Sequence, residues 1–201
     1  FKELGDKKGI AYSLGNLGNL HYLQGDYQAT LEACEECLRI SRELGDGSSV
    51  AKALHQLGVI NQEQGNLGEA QAKYEQSLAI KVELGDKEGI ATSLHQLGGI
   101  HQVQGNLGEA QAKYEQSLAM QVELGNKSGI AKTLHQLGRI HEEQGSYHEA
   151  LEKYMWALSL KEQIGAPSDI QRAALARLRE EMGEEAFAAA LAEVVQRTEE
   201  N

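Results

Sequence analysis

The chain has 201 residues with one proline, two cysteines and 22 glycines, and its 30 acidic against 19 basic side chains leave a net charge of −11. An acidic excess of this size repels phosphate backbones and anionic lipid surfaces, which argues against nucleic acid and membrane as partners. No apolar run approaches the roughly 20 residues that span a bilayer. No export signal is visible, and two reduced cysteines then suggest a cytoplasmic protein.

Taken in chain order, the sequence returns on itself every 40 residues. Residues 1–8 read as the end of a preceding repeat, because Phe1–Gly5 aligns with Lys81–Gly85, so the chain looks cut from a longer protein. Four full units follow at 9–48, 49–88, 89–128 and 129–168, and 169–201 lies outside the period. The pair Leu17-Gly18 recurs as Leu57-Gly58, Leu97-Gly98 and Leu137-Gly138. A period of this size predicts stacked helix pairs forming one continuous array.

Each unit predicts two helices. In the second unit Leu54, Leu57 and Asn61 share one face of a helix from about Gly47 to Gln64, which Gly65 closes. Asn66-Leu67-Gly68-Glu69 has the form of a capping box for the next helix, and Ser146-Tyr147-His148-Glu149 repeats it. That second helix carries Leu67, Ala70, Tyr74, Ser77 and Leu78 on one face and Ile80 and Leu84 on another. Gly85 ends it, and Asp86 can cap the helix that follows. Gly58, Gly98 and Gly138 lie inside first helices, where each disfavours helix by about 1 kcal/mol relative to alanine. Close approach of the paired helix is the expected compensation.

Cys34 and Cys37 fall in register with Tyr74 and Ser77, which are inward positions, so both are expected in the core rather than at a metal. After Pro167, Ser168-Asp169 can cap a helix to about Met182. A last helix from Glu184 to Thr198 should turn Phe187, Leu191, Val194 and Val195 inward. An open stack needs such a polar-faced terminal cap.

The recurring Leu-Gly pair, the small residue at Ala70 and the aromatic at Tyr74 resemble the tetratricopeptide motif. The 40-residue length is similar to the longer variety found in kinesin light chains, Leu-Gly-Asn repeat proteins and bacterial signalling proteins. His21, Asn61, His101 and His141 depart from the motif's tyrosine, and Thr30 replaces its small alanine. The resemblance implies an all-α, right-handed α-solenoid of stacked helix hairpins with C-terminal capping helices. It also implies that first helices line a concave face.

Carried onto this chain, the family's groove positions are Tyr12, Asn16, Asn19 and Tyr22 in the first unit. They are Lys52, His55, Gln56 and Gln62 in the second, and Thr92, His95, Gln96 and Gln102 in the third. The fourth offers Lys132, His135, Gln136, Arg139 and Glu142. Asn16, Gln56, Gln96 and Gln136 form a row of carboxamides able to pair with an extended peptide backbone. His55, His95 and His135 form a second row, expected to be solvated and to titrate near the unperturbed value of about 6.5. Adjacent helices sit about 8–10 Å apart, too far for these rungs to share a metal. Lys132, His135 and Arg139 form a local basic patch or part of a mixed solvated face.

Units two and three match at 29 of 40 positions, and seven of the 11 differences fall in the first helix, which suggests distinct contacts along one face. No phosphate loop or nucleophile elbow is present, so the chain carries no catalytic, metal or cofactor site in this reading and is not an enzyme. The leading function is a scaffold that binds a protein or peptide segment in the groove. The alternatives are a regulatory sensor module of a larger signalling protein and self-association into a homo-oligomer through the solenoid ends.

Overall fold

The structure is a computed structural model that describes residues 6–199, with side chains described through residue 197. The expected end of a preceding repeat at 1–5 lies outside the described residues. The helices are α1 (Lys7–Leu23), α2 (Tyr27–Glu43), α3 (Gly47–Glu63), α4 (Leu67–Leu84) and α5 (Lys87–Val103). They continue as α6 (Leu107–Glu123), α7 (Lys127–Glu143), α8 (Tyr147–Gln163), α9 (Asp169–Met182) and α10 (Glu184–Glu199). No strand occurs among the described residues, so the fold is all-α and built on helical repeats. Among them, no helix is long and apolar enough to cross a membrane.

Glycine writes the punctuation. Gly65 sits at φ 78° and Gly85 at φ 68°, in the left-handed region that residues with a Cβ adopt only with strain. The reversal lets the Asn66 amide donate to Asn61 O at 2.8 Å, which satisfies a carbonyl at the end of α3. Side-chain caps form at the first helix of every repeat and also at α2, where Asp26 Oδ1 accepts from Ala29 N at 3.0 Å. Asp46 Oδ1 accepts from Ser49 N at 3.1 Å, and Asp86 Oδ1 accepts from Gly89 N at 2.9 Å, the cap expected of Asp86. The capping boxes expected at Asn66 and Ser146 do not form, since neither side chain accepts from its helix. The Asn66 amide turns instead to Gln64 Oε1 at 3.5 Å.

Two compact units divide the chain at 100/101, inside α5. In the first, α1 pairs with α2, α3 with α4, and α2 with α3. Its core runs through Ala11, Cys34, Cys37, Leu38, Val50, Leu54 and Leu57. Ala70 and Tyr74 of α4 close on Leu97 and Ile100 of α5 in a second cluster. Tyr74 is seated on Gly58, where an added Cβ would lie 2.7 Å from the ring. The interior glycine therefore makes room for its partner helix, as its position predicts. Both cysteines are buried and free, in the core as register requires.

In the second unit α6 packs on α7, α7 on α8, and α8 on α9 and α10. Tyr114 meets Leu137 and Ile140, and Tyr154 meets Ala174, Leu178, Ala190 and Val194. The last two helices thus cover α8 with their own apolar faces. Phe187 and Leu191 pack inward as expected, whereas Val195 is exposed and Ala190 takes the inward place. Leu84, expected on a second buried face of α4, is also exposed.

Candidate functional site

An open cleft of about 730 Å³ lies in the first unit. Helix α1 contributes Ala11, Tyr12, Gly15, Asn16 and Asn19, and α3 contributes Ser48, Ser49, Lys52, Ala53, His55 and Gln56. Cys34 and Cys37 of α2 and Lys81 of α4 face it, and Asp86, Glu88, Gly89 and Thr92 come from the start of α5 and the residue before it. The period of 3.6 residues puts Lys52, Ala53 and Gln56 on one side of α3. Tyr12, Asn16, Asn19, Lys52, His55, Gln56 and Thr92 of the expected groove set are thereby brought together.

Two members of the carboxamide row, Gln56 and Gln96, bond to neighbouring helices. Gln56 Nε2 donates to Asn19 Oδ1, which ties α3 to α1. Gln96 Nε2 donates to the Tyr74 hydroxyl at 3.3 Å, and that hydroxyl donates to Gln62 Oε1 at 3.1 Å. These two amides therefore stitch neighbouring helices.

The histidines differ from expectation as well. The His55 ring packs on Tyr74 with centroids 5.3 Å apart, and its buried Nδ1 has no hydrogen-bond partner. Burial, with Lys81 close by, pushes its pKa down to about 4, so it is neutral at physiological pH and not the solvated rung expected. His135 lies 5.2 Å from Tyr154, and burial lowers its pKa too. His95 of α5 is half-buried.

Lys81 is a buried, charged cleft residue that sequence reasoning missed, with Ser48, Ser49 and Glu88 also outside the expected set. Its exposure is only 6 %, and Nζ donates to Ser93 Oγ at 2.9 Å. Burial lowers its pKa, and the negative charge of Asp86 opposes that shift. Register holds the signal: Lys81 aligns with the buried Ser41 and Gln121, so this inward position takes polar side chains in successive repeats. In the next repeat Gln121 Oε1 accepts from Thr133 Oγ1 at 2.9 Å, an uncharged bridge between the same two positions with the hydroxyl as donor.

The second unit holds Lys132, His135, Gln136 and Arg139. Arg139 Nη1 donates to Gln136 Oε1 at 3.4 Å and Nη2 lies 3.8 Å from Glu143 Oε1, so the basic patch is a mixed face. A hollow of about 590 Å³ there is lined by Arg139, Glu142, Glu143, Tyr147, Arg177 and Glu181. Arg177 of α9 reaches into it and donates to Glu142 from Nε and Nη2, along one guanidinium edge, at 2.6 and 2.7 Å.

Comparison with solved structures places this architecture among helical-repeat proteins. The chain is similar to BtubC (BKLC) from P. vanneervenii, with TM-score 0.78 and 19 % identity over 95 % of this chain and 85 % of that one. A putative kinesin light chain from P. anserina with nearly identical TPR-like repeats gives TM-score 0.71 and 22 % identity, over 94 % and 96 %. The apo form of RapI gives 0.79 and 17 %, over 98 % and 69 %. No curated protein sequence matches this chain. The tetratricopeptide repeat family model matches residues 9–81 and 89–163, so the chain belongs to that family of protein-interaction repeats.

Proposed function

We propose that the chain binds an extended segment of a partner protein along the first helices of its repeats. The supporting observation is the cleft of the first unit, where seven groove positions from α1, α3 and α5 line one open space. Its walls mix small apolar side chains with amides, the cations of Lys52 and Lys81 and the anions of Asp86 and Glu88. Amides offer backbone pairing worth about 0.5–1.5 kcal/mol per bond, and the charges give register. Selection of peptides from a displayed random library supplies the test. Selected peptides should bind the double variant Lys52→Ala/Thr92→Ala at least tenfold more weakly (~1.4 kcal/mol) than wild type, while Glu75→Ala on α4 leaves binding unchanged. Equal binding to all three proteins would sink the reading.

A second reading, self-association, draws on a different surface. Leu20 is 51 % exposed on α1, whereas Ile60, Ile100 and Ile140 in the same register are fully buried. Leu17 and Leu23 flank it and are also exposed. A second copy covering this stripe would make the protein dimerise with concentration, and Leu20→Glu would abolish that in sedimentation. A wild-type protein that stays monomeric at all concentrations contradicts it.

A further inference from the structure

We infer that the cleft of the first unit accepts an aromatic side chain of a bound peptide, tyrosine best, in a hollow between Gly15 and Cys34. The inference deepens the peptide-groove reading and rests on it. Its basis is a pair of rings that the later repeats contain and the first lacks. Position 15 is glycine where 55, 95 and 135 are histidine, and position 34 is cysteine where 74, 114 and 154 are tyrosine. In the second and fourth repeats the two rings pack on each other, 5.3 and 5.2 Å apart. The tyrosine in each is seated on a glycine of the first helix, where a Cβ would lie 2.7 Å from the Tyr74 ring and 2.5 Å from the Tyr154 ring.

The first repeat keeps the seat and loses the occupant. Gly18 remains, and the nearest atom to a Cβ built on it is Cys34 Sγ at 3.1 Å. A Cβ on Gly15 would meet only Cys37 Sγ, at 3.9 Å. Both small residues line the cleft, so the space that two rings fill elsewhere borders the cleft here, with Gly15 at its half-buried rim and Cys34 at its buried floor. The fold's own occupant of the equivalent space is a tyrosine ring, which identifies the shape and chemistry of a guest. The polar end is matched as well. The Tyr74 hydroxyl accepts from Gln96, and Gln56, one repeat earlier, lines the cleft. A guest ring would bury its faces against Gly15, Ala53 and Cys34 and present its hydroxyl to Gln56.

The sister repeats also supply the test. Gly15→His/Cys34→Tyr installs the ring pair that later repeats carry and fills the hollow, with Gly18 left in place to seat the new ring. The probes are acetyl-Gly-Gly-Tyr-Gly-Gly-amide and the same peptide with Ala or Leu for Tyr, titrated to about 10 mM against the labelled chain by NMR. Saturable ring-current shifts at the Gly15 and Gly18 amides are expected with the Tyr probe and at least tenfold weaker binding with the other two. The filled variant should keep its thermal midpoint and lose the shifts. Cys34→Leu, a smaller filling, serves if the double variant does not fold. Undiminished shifts in a filled variant, equal binding of the Leu probe, or no saturable shift overturn the inference. If library-selected peptides depend on Lys52 and Thr92 but bind the filled variant as well as wild type, the groove reading survives and the hollow does not.

Discussion

Arg177 of the penultimate helix clasps Glu142 of α7 with two parallel hydrogen bonds, and the Tyr154 hydroxyl donates to the same carboxylate at 2.5 Å. The Glu142 side chain is only 10 % exposed, so its charge relies on these donors. The bond joins the terminal cap to the face of the last repeat, at a position where the family's groove residues lie. Removing one partner of such a pair leaves a desolvated charge behind. Arg177→Ala should therefore lower unfolding free energy by about 1–3 kcal/mol in urea, a range reduced because Arg177 itself is half exposed. Arg177→Lys should recover only part, because an ammonium cannot form the fork.

The same pair gives an acid limit. Burial acts to raise the Glu142 pKa, and the bonds from Arg177 and Tyr154 outweigh it, so the folded value lies below the ordinary carboxylate value. Such a group stabilises the fold fully above the unfolded pKa of about 4.3 and loses that contribution as pH falls through the folded value. Urea midpoints measured from pH 7 to pH 3 should drop more steeply for wild type than for Glu142→Gln.

Histidine adds an earlier slope. His55 has a folded pKa of about 4, below its unfolded value, so the unfolded chain takes up a proton first as pH falls. Stability should decline between about pH 6.5 and pH 4, and less so in His55→Gln. An NMR titration should find the His55 ring neutral above pH 5.5.

Two pairs of helical glycines should respond in opposite ways. Gly58→Ala and Gly138→Ala drive a Cβ to 2.7 and 2.5 Å from the Tyr74 and Tyr154 rings, and should destabilise by about 1–3 kcal/mol despite better helix propensity. Gly68→Ala and Gly108→Ala meet nothing within 4 Å and should stabilise by about 0.4–1 kcal/mol. Thermal midpoints of the four variants decide the matter.

Caps offer a further contrast. Asp46 receives both the amide and the hydroxyl of Ser49, so Asp46→Ala should cost about 1 kcal/mol. Asn66 caps nothing with its side chain, and Asn66→Ala should lie within about 0.5 kcal/mol of wild type.

Register carried most of the architecture. The Leu-Gly and Gly-turn spacing placed the helices of the repeats, and the loss of period after Pro167 placed α9 and α10. The cap pattern was less legible, because Asn66 and Asp46 look equivalent as letters while only one side chain turns onto its helix. Burial of His55 escaped the sequence for a related reason: its position on α3 says which way it points, and only the Tyr74 ring beside it says that water is excluded. Lys81 was missed because hydrophobic periodicity leads a reader to look for a lysine on the outer face. The gap at Gly15 and Cys34 was visible in the alignment of repeats, but its meaning needed the seat at Gly18.

The buried polar bridges between successive repeats bear on how near-copies keep their identity during folding. The segments 65–79 and 105–119 are identical, so nothing within them tells the chain which partner helix to choose. The distinction falls just beyond, where Lys81 meets Ser93 and Gln121 meets Thr133. Either hydroxyl can accept from Lys81 or donate to Gln121, so the bridges differ in charge alone: an exchange would move a buried ammonium from beside Asp86 to beside Asn126, which disfavours swapped assemblies between twin segments.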